Sequence, residues 1–158
     1  MEWADAMVWT AVLASSDGKE DKKLRDCLYH LHLVQFAFLR TWRGEPRDTP
    51  FPTLDDTTAL MRWGQTYYSA AYAHLGTLSD SALAAPMPVP WADMVERRLG
   101  HKPETTTVGD TVLQVTLHSL YHRGQINARL RDLSGNPPLV DFIAWVWFGR
   151  PAAVWPSS

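Results

Sequence analysis

Two histidines placed four residues apart offer the clearest chemistry in this sequence. His118 and His122 lie in the segment HSLYHRGQ, within an otherwise apolar stretch. If the stretch is helical, side chains at positions i and i+4 project from one side, so both imidazoles can reach one metal ion. Two core histidines that hydrogen-bond to neighbouring helices would give the same spacing. The pair alone therefore leaves a metal site and a structural role both open.

The residues around the pair narrow the chemistry. Ser119 follows His118 where the H-E-x-x-H motif of zinc proteases has its catalytic glutamate, which argues against a protease. Gln125, one turn beyond His122, is a candidate to position water, substrate or a ligand ring. Arg129 could hold a substrate carboxylate or be solvated, and Tyr121 could donate a hydrogen bond or serve in packing.

A third ligand is sought in the segment DCLYHLHLVQFAFLRTW, which contains His30 and His32. On a helix these two point about 200° apart, so only one of them can face a shared site. Hydrophobic periodicity favours His30, and His32 remains the alternative. Cys27, one turn before His30, either lines the same pocket or is a small buried side chain.

The elements that must position these residues are helices. Gly and Pro divide the chain clearly, and strand signals are nearly absent. We predict that Thr53 is the N-cap of the helix that runs to residue 75. The first helix is predicted to end at the segment 15–18, which contains Gly18. The predicted helices are 3–13, 21–42, 53–75, 91–99, 108–133 and 139–148. The fold expected is an all-α bundle of four main helices with an extra short C-terminal helix.

A helical wheel at roughly 100° per residue refines the prediction for 108–133. His118, His122, Gln125, Arg129 and Gln114 fall in one narrow stripe in the middle of the apolar arc. On the same wheel Arg123 falls on the far face, where we expect solvent. Polar groups at the centre of a buried arc are costly unless they are paired or bound, which favours a ligand-binding role for the stripe.

Composition limits the class of protein. The chain has 158 residues, of which 46% are hydrophobic and 20% charged, and its net charge is −2. These values fit one soluble domain spanning 1–158 and disfavour a nucleic-acid partner. The single cysteine suits a reducing compartment, no apolar run is long enough for a bilayer, and the N-terminal segment is acidic. We therefore expect a cytoplasmic protein without a membrane span.

The segment HSLYHRGQINARLRDLSGNPPLVDFIAWVWFGRP resembles the C-terminal signature of the DinB/YfiT-like superfamily. Members of that family carry H-x-x-x-H-R-G-Q on a long helix, then a Gly/Pro turn, then a short helix that begins with Asp near an aromatic cluster. Asp141, Trp145 and Trp147 match this last part. In the family's second helix a histidine precedes a Phe-Leu pair by eight and nine residues, and Phe38–Leu39 assign that histidine to His30.

The resemblance implies a four-helix bundle of up-down-down-up topology, often a homodimer, in which His30, His118 and His122 bind one divalent metal ion. Nickel or zinc is the expected metal, with iron, manganese or copper as alternatives. Some relatives are thiol S-transferases that act on low-molecular-weight thiols, and the family gives no support for nucleic-acid binding.

Two functions follow as hypotheses. The first is a metal-dependent enzyme of the thiol S-transferase or hydrolase type, acting on a small molecule. The second is a non-catalytic metal-binding dimer that serves stability or stress sensing. A metal-free bundle with hydrogen-bonded core histidines is the third possibility.

Overall fold

The computed structural model describes residues 1–46 and 48–157, and within these ranges the fold is all-helical. Four long helices carry most of the chain: α1 (Glu2–Ala14), α3 (Lys22–Trp42), α4 (Thr57–Leu75) and α7 (Val108–Asp132). Four short ones connect or follow them: α2 (Ser16–Glu20), α5 (Asp80–Leu83), α6 (Ala92–Leu99) and α8 (Phe142–Trp147). The expected all-α class is confirmed. None of the described helices is both long and apolar enough to cross a membrane.

Side-chain caps set the starts of the long helices. The Asp21 carboxylate accepts from the backbone N–H of Leu24 at 2.7 Å and begins α3. Thr107 and Asp110 form a reciprocal capping box that begins α7. These caps satisfy backbone donors that have no partner inside the helix.

Several predicted boundaries were wrong. The helix after the 43–56 connection begins at Thr57 with Asp56 as its N-cap, because the Asp56 carboxylate, and not Thr53, bonds the Ala59 N–H at 2.6 Å. The segment 15–18 does not simply end α1, since Ser15 caps the short helix α2. The last helix is shorter than 139–148.

The core consists of two apolar clusters separated by a polar layer. The first cluster contains Val8, Trp9, Val12, Leu24, Leu28, Leu31, Leu60, Met61, Ile126 and Leu130. The second contains Phe38, Leu39, Trp42, Tyr67, Tyr68, Ala71, Val108 and Val115. Between them along α3 and α7 lie buried polar side chains, among them His32, Gln35, Ser119 and Arg123. Helix α3 packs most extensively against α7, which brings their histidines onto one side of the molecule.

Arg123 contradicts the helical wheel. It was expected in solvent, yet it is 4% exposed and its Nη1 donates to Asp5 at 2.7 Å. The buried face of α7 runs through Val115, Ser119 and Ile126, and the histidine stripe lies along its edge. The wheel failed because α7 carries apolar side chains on two opposite faces, so their centre does not mark the core.

Candidate metal centre

Three histidines converge between α3 and α7. His30, His118 and His122 each offer a ring nitrogen, and these atoms lie within 4.8 Å of one another. The ring centroids are 4.3 to 5.3 Å apart. Bonds of about 2.0–2.1 Å to one ion place ligand atoms roughly 3–4 Å apart, so small side-chain rotations bring all three nitrogens into range. The three histidines are therefore close enough to bind a metal ion.

Local structure explains why these three residues meet. His118 and His122 are one helical turn apart on α7, and His30 faces them from the first half of α3. His30 is exposed, whereas His118 and His122 are half-buried. One side of the group is thus open to solvent and the other is set against the packed α3–α7 contact.

The environment keeps two of the imidazoles neutral. Burial, followed by the charges of His122 and His30, lowers the pKa of His118 to about 4. Burial and then His30 also lower the pKa of His122, although the hydrogen bond that His122 donates to Gln125 acts in the opposite direction. Neutral imidazole is the form that ligates metals, so these two rings are ready ligands at neutral pH.

Gln125 fixes the orientation of His122. The Oε1 of Gln125 lies 2.7 Å from Nδ1 of His122. An amide oxygen only accepts, so Nδ1 carries the hydrogen and Nε2 keeps a free lone pair. Outer partners of this kind set the tautomer and angle of metal-ligating histidines. Gln125 thus holds His122 as an Nε2 ligand.

His118 has an unsatisfied nitrogen. Its Nε2 is buried and has no hydrogen-bond partner in the described part of the chain. Leaving a buried polar atom unpaired is unfavourable, and a metal ion would satisfy it. The donor set and this orphaned atom both fit a divalent ion.

His32, the alternative third ligand, is occupied elsewhere. It is fully buried, and its Nε2 accepts from the Trp9 indole N–H at 2.9 Å. Its Nδ1–H donates to Oε1 of Gln35 at 2.8 Å. Gly64 gives it room, since a Cβ there would come closer than 3.0 Å to the imidazole. Geometry thus separates the two histidines of α3, with His30 in the cluster and His32 in the core.

The buried layer beyond His32 centres on Asp5, which no motif in the sequence predicts. Asp5 accepts from Arg123 at 2.7 Å, from Gln35 at 2.9 Å and from the Tyr68 hydroxyl. Burial raises its pKa, but Arg123, His32 and the hydrogen bonds outweigh that effect and hold the pKa below its usual value. Asp5 lies one turn before Trp9 on the apolar face of α1. A single acidic residue on the apolar face of a helix is the sequence feature that could have indicated a buried ion pair.

The other candidates have separate surroundings. The Arg129 guanidinium donates two hydrogen bonds to the Asp21 carboxylate, from Nε at 3.2 Å and from Nη2 at 2.6 Å. This pair connects the end of α7 to the start of α3. The Tyr121 ring lies edge-on to His122, with centroids 5.2 Å apart, and is 64% exposed. The Cys27 thiol lies 3.7 Å from Nδ1 of His122 and 3.7 Å from Oε1 of Gln125, and burial raises its pKa.

A cleft opens beside the histidines. It has a volume of about 670 Å³, and His30 and His118 form part of its wall. The wall is mainly apolar and includes Val34, Phe38, Phe51, Val89 and Trp91, with Gln114 and Asp110 as polar members. Phe51, Val89 and Trp91 come from the connections between long helices, and periodicity in those connections is too weak to predict them. The cleft is large enough for a small organic molecule.

The chain matched no protein-family model, no curated protein and no solved structure in the three comparisons made.

Proposed function

We propose that this protein is a DinB-like, metal-dependent enzyme that acts on a small molecule at a three-histidine centre. The observation that carries the proposal is the convergence of His30, His118 and His122 at the wall of an open cleft. Structural metal sites are usually closed by four protein ligands, whereas catalytic sites keep a position free. Three imidazoles beside a cleft correspond to the open arrangement of a catalytic site.

The family assignment is part of the proposal. The H-x-x-x-H-R-G-Q block and the position of His30 support it. The order of residues in the two core clusters supports an up-down-down-up bundle, because early residues of α3 and α4 share a cluster with late residues of α1 and α7. The 43–56 connection is long enough to return the chain so that α3 and α4 run in the same direction.

A divalent ion held there, nickel or zinc by the resemblance, would supply a Lewis acid with at least one position left for a small ligand. The protein's own residues would do the rest. Gln125 orients His122, and the apolar wall around Phe38 and Trp91 would hold the body of the substrate and exclude water. A low-molecular-weight thiol suits such a site, because its sulfur atom would bind the metal ion and its small organic body would pack against the apolar wall.

Metal content tests the proposal directly. Protein purified without a histidine tag should contain about one divalent ion per chain, and added Ni²⁺ or Zn²⁺ should raise the melting temperature of protein stripped with a chelator. His122→Ala should lower metal affinity more than tenfold, while His101→Ala, an exposed histidine, should not. If no metal co-purifies and none stabilises the stripped protein, the proposal fails.

Activity is tested separately. Metal-loaded protein would be incubated with small thiols and electrophilic or hydrolysable substrates, beside the variant lacking all three histidines. Turnover that depends on the histidines supports an enzyme. Metal binding without turnover would instead favour the non-catalytic alternative, and turnover that persists in the triple variant would place the chemistry elsewhere.

A further inference from the structure

The cleft beside the histidines is joined to a second cavity. This cavity has a volume of about 340 Å³, and it shares Ala37, Phe51 and Trp91 with the wall of the cleft. Arg40, near the end of α3, forms another part of its wall. The two cavities together follow α3 from His30 to Arg40, and we call them the α3 trough.

The length of the α3 trough follows from helix geometry. Ten residues of α3 separate His30 from Arg40, so their Cα atoms lie about 15 Å apart along the helix axis. Long side chains on a helix lean towards its N-terminus, which brings the guanidinium closer to the imidazoles. The two ends of the trough are therefore roughly 10–15 Å apart. A ligand bound at the histidines reaches Arg40 only if it is elongated.

The Arg40 guanidinium is held in place on two sides. Its central carbon lies 3.9 Å from the centroid of the Phe51 ring. Its Nη1 donates to the backbone carbonyl of Thr49 at 2.6 Å. The stacking and the hydrogen bond both restrict a side chain that is otherwise flexible. Less ordering is then needed when a ligand binds, so a fixed guanidinium binds better than a mobile one.

The remaining edge of this guanidinium is available to a ligand. Among the residues that the structure describes, Thr49 supplies the only acceptor for the Arg40 side chain, so Nε and Nη2 have none. No described carboxylate forms an ion pair with Arg40, whereas Arg43, Arg123 and Arg129 each have one. Two parallel N–H groups of a guanidinium match the two oxygens of a carboxylate. Arg40 therefore offers a prepared carboxylate-binding edge.

The charge of the wall favours a ligand group with one negative charge. Arg40 is the only Lys or Arg among the described residues that line the two cavities. Glu45 also lines the second cavity, but its Oε1 lies 3.4 Å from Nη1 of Arg43, which partly balances its charge. The Asp110 carboxylate accepts from the backbone N–H and the hydroxyl of Thr107. A phosphate dianion would need a second cation, so a carboxylate fits better.

We propose that Arg40 determines substrate specificity by binding the carboxylate of an elongated small molecule whose reacting end lies at the three histidines. The body of the molecule packs between Phe38, Phe51 and Trp91. The placement of the reacting end rests on the proposed function, whereas the contact between Arg40 and a carboxylate does not.

The dimensions of the trough define the class of substrate. With about 3 Å allowed for the contact at each end, the reacting atom and the carboxylate lie roughly 4–9 Å apart. An extended chain advances about 1.2 Å per bond, so about four to eight bonds separate the two groups. The substrate is then a small carboxylic acid with its reacting group, a thiol in the proposed reaction, at the opposite end.

Carboxylate binding is tested first with metal-free protein, so that the result does not depend on the histidines. Calorimetric titration compares octanoate with octanol, which has the same alkyl chain and no charge. The wild type should bind octanoate about tenfold more tightly, because a hydrogen bond to a charged group is strong. Arg40→Met keeps an aliphatic stem over Phe51 and should bind the two equally. Arg40→Lys keeps the charge but loses the planar fork, so it should keep only part of the preference.

Arg62→Met, at an exposed arginine of α4, is the matched control and should keep the full preference. Melting temperatures show whether each variant is folded, and Arg40→Lys decides if Arg40→Met is not. Equal binding of octanoate and octanol by the wild type, or an undiminished preference in the folded Arg40 variants, would overturn the proposal. Tighter binding of octyl phosphate than of octanoate would overturn the assignment to a carboxylate.

The span between the two ends is tested with Ni²⁺-loaded protein and ω-mercaptooctanoate, ω-mercaptooctanol and mercaptoacetate. Thiol binding is followed by the metal–sulfur absorption band. Arg40→Met should weaken ω-mercaptooctanoate about tenfold. It should leave the other two unchanged, since one lacks the charge and the other is too short. Equal weakening of mercaptoacetate would contradict an elongated substrate.

The two experiments separate this inference from the proposed function. If the protein binds no metal, the proposed function fails, and the octanoate titration still decides whether Arg40 binds a carboxylate. If thiols bind at the metal and Arg40→Met changes none of the affinities, the proposed function stands and the role of Arg40 is refuted.

Discussion

At the residue scale, Gln125 is the group that holds His122 in a ligating tautomer. We expect Gln125→Leu to weaken divalent metal binding by roughly 10–100-fold, because the ring loses the acceptor that fixes it. Competition with a coloured chelator measures the change. Gln65→Leu, at an exposed glutamine of α4 outside the cleft, is the control and should bind normally. Equal affinity of the two variants would remove Gln125 from the site.

Arg123 and Asp5 form a buried ion pair, with side chains 5% and 2% exposed. Removing one partner leaves the other charge buried without compensation, so we expect Arg123→Met to lower the free energy of unfolding by about 3–5 kcal/mol. Urea denaturation followed by circular dichroism measures it. Asp26→Asn, which breaks the exposed Lys22–Asp26 pair, should have little effect. A similar small effect for Arg123→Met would contradict the assigned burial.

At the element scale, Gly64 sets the distance between α4 and α3. Helix propensity alone would make Gly64→Ala stabilising by about 1 kcal/mol. The new Cβ would overlap the His32 imidazole, so we expect destabilisation of about 1–3 kcal/mol instead. Thermal unfolding gives the sign, and Ser69→Ala at an exposed position of α4 is the control. A higher melting temperature for Gly64→Ala would mean that the two helices are farther apart than described.

The sequence was sufficient to predict the long helices, because stretches that contain Gly and Pro separate them along the chain. It was not sufficient to orient α7. Apolar side chains lie on two opposite faces of α7, and periodicity alone does not show which of the two faces the core, so Arg123 was assigned to solvent. The helix starts were missed where two acceptors competed within one turn, as at Thr53 and Asp56.

The candidate site was predictable only in part. The i, i+4 pair identified His118 and His122, because both lie on one helix. Periodicity within α3 favoured His30 without excluding His32, because the contacts that hold His32 in the core come from Trp9 and Gly64 on other helices. The cleft likewise depends on long connections whose course the sequence does not specify.

At the scale of the whole molecule, stability should depend on pH in two stages. The pKa values of His32 and His118 are lowered from 6.5, so the unfolded chain takes up protons first as the pH falls. The pKa of Asp5 is lowered from 3.8, so its contribution is present above that value and is lost as the pH falls through its folded pKa. We therefore expect the free energy of unfolding of metal-free protein to decrease below about pH 6.5 and again below about pH 3.8.

Urea denaturation at a series of pH values measures this dependence. Asp5→Asn should weaken the lower stage, to which Asp21 and Asp110 also contribute, and keep the upper one, while His101→Ala should show both in full. A constant free energy of unfolding between pH 7 and pH 5 would show that His32 is not buried in its neutral form.

The Asp5–Arg123 contact joins residues 118 positions apart in the chain. The polar layer is therefore complete only after the first and last long helices have met, which is a late event for so distant a pair. We expect Arg123→Met to speed unfolding while leaving the folding rate nearly unchanged, as the two arms of a chevron plot would show. The lifetime of the folded state, more than the speed of reaching it, would then depend on this one buried pair.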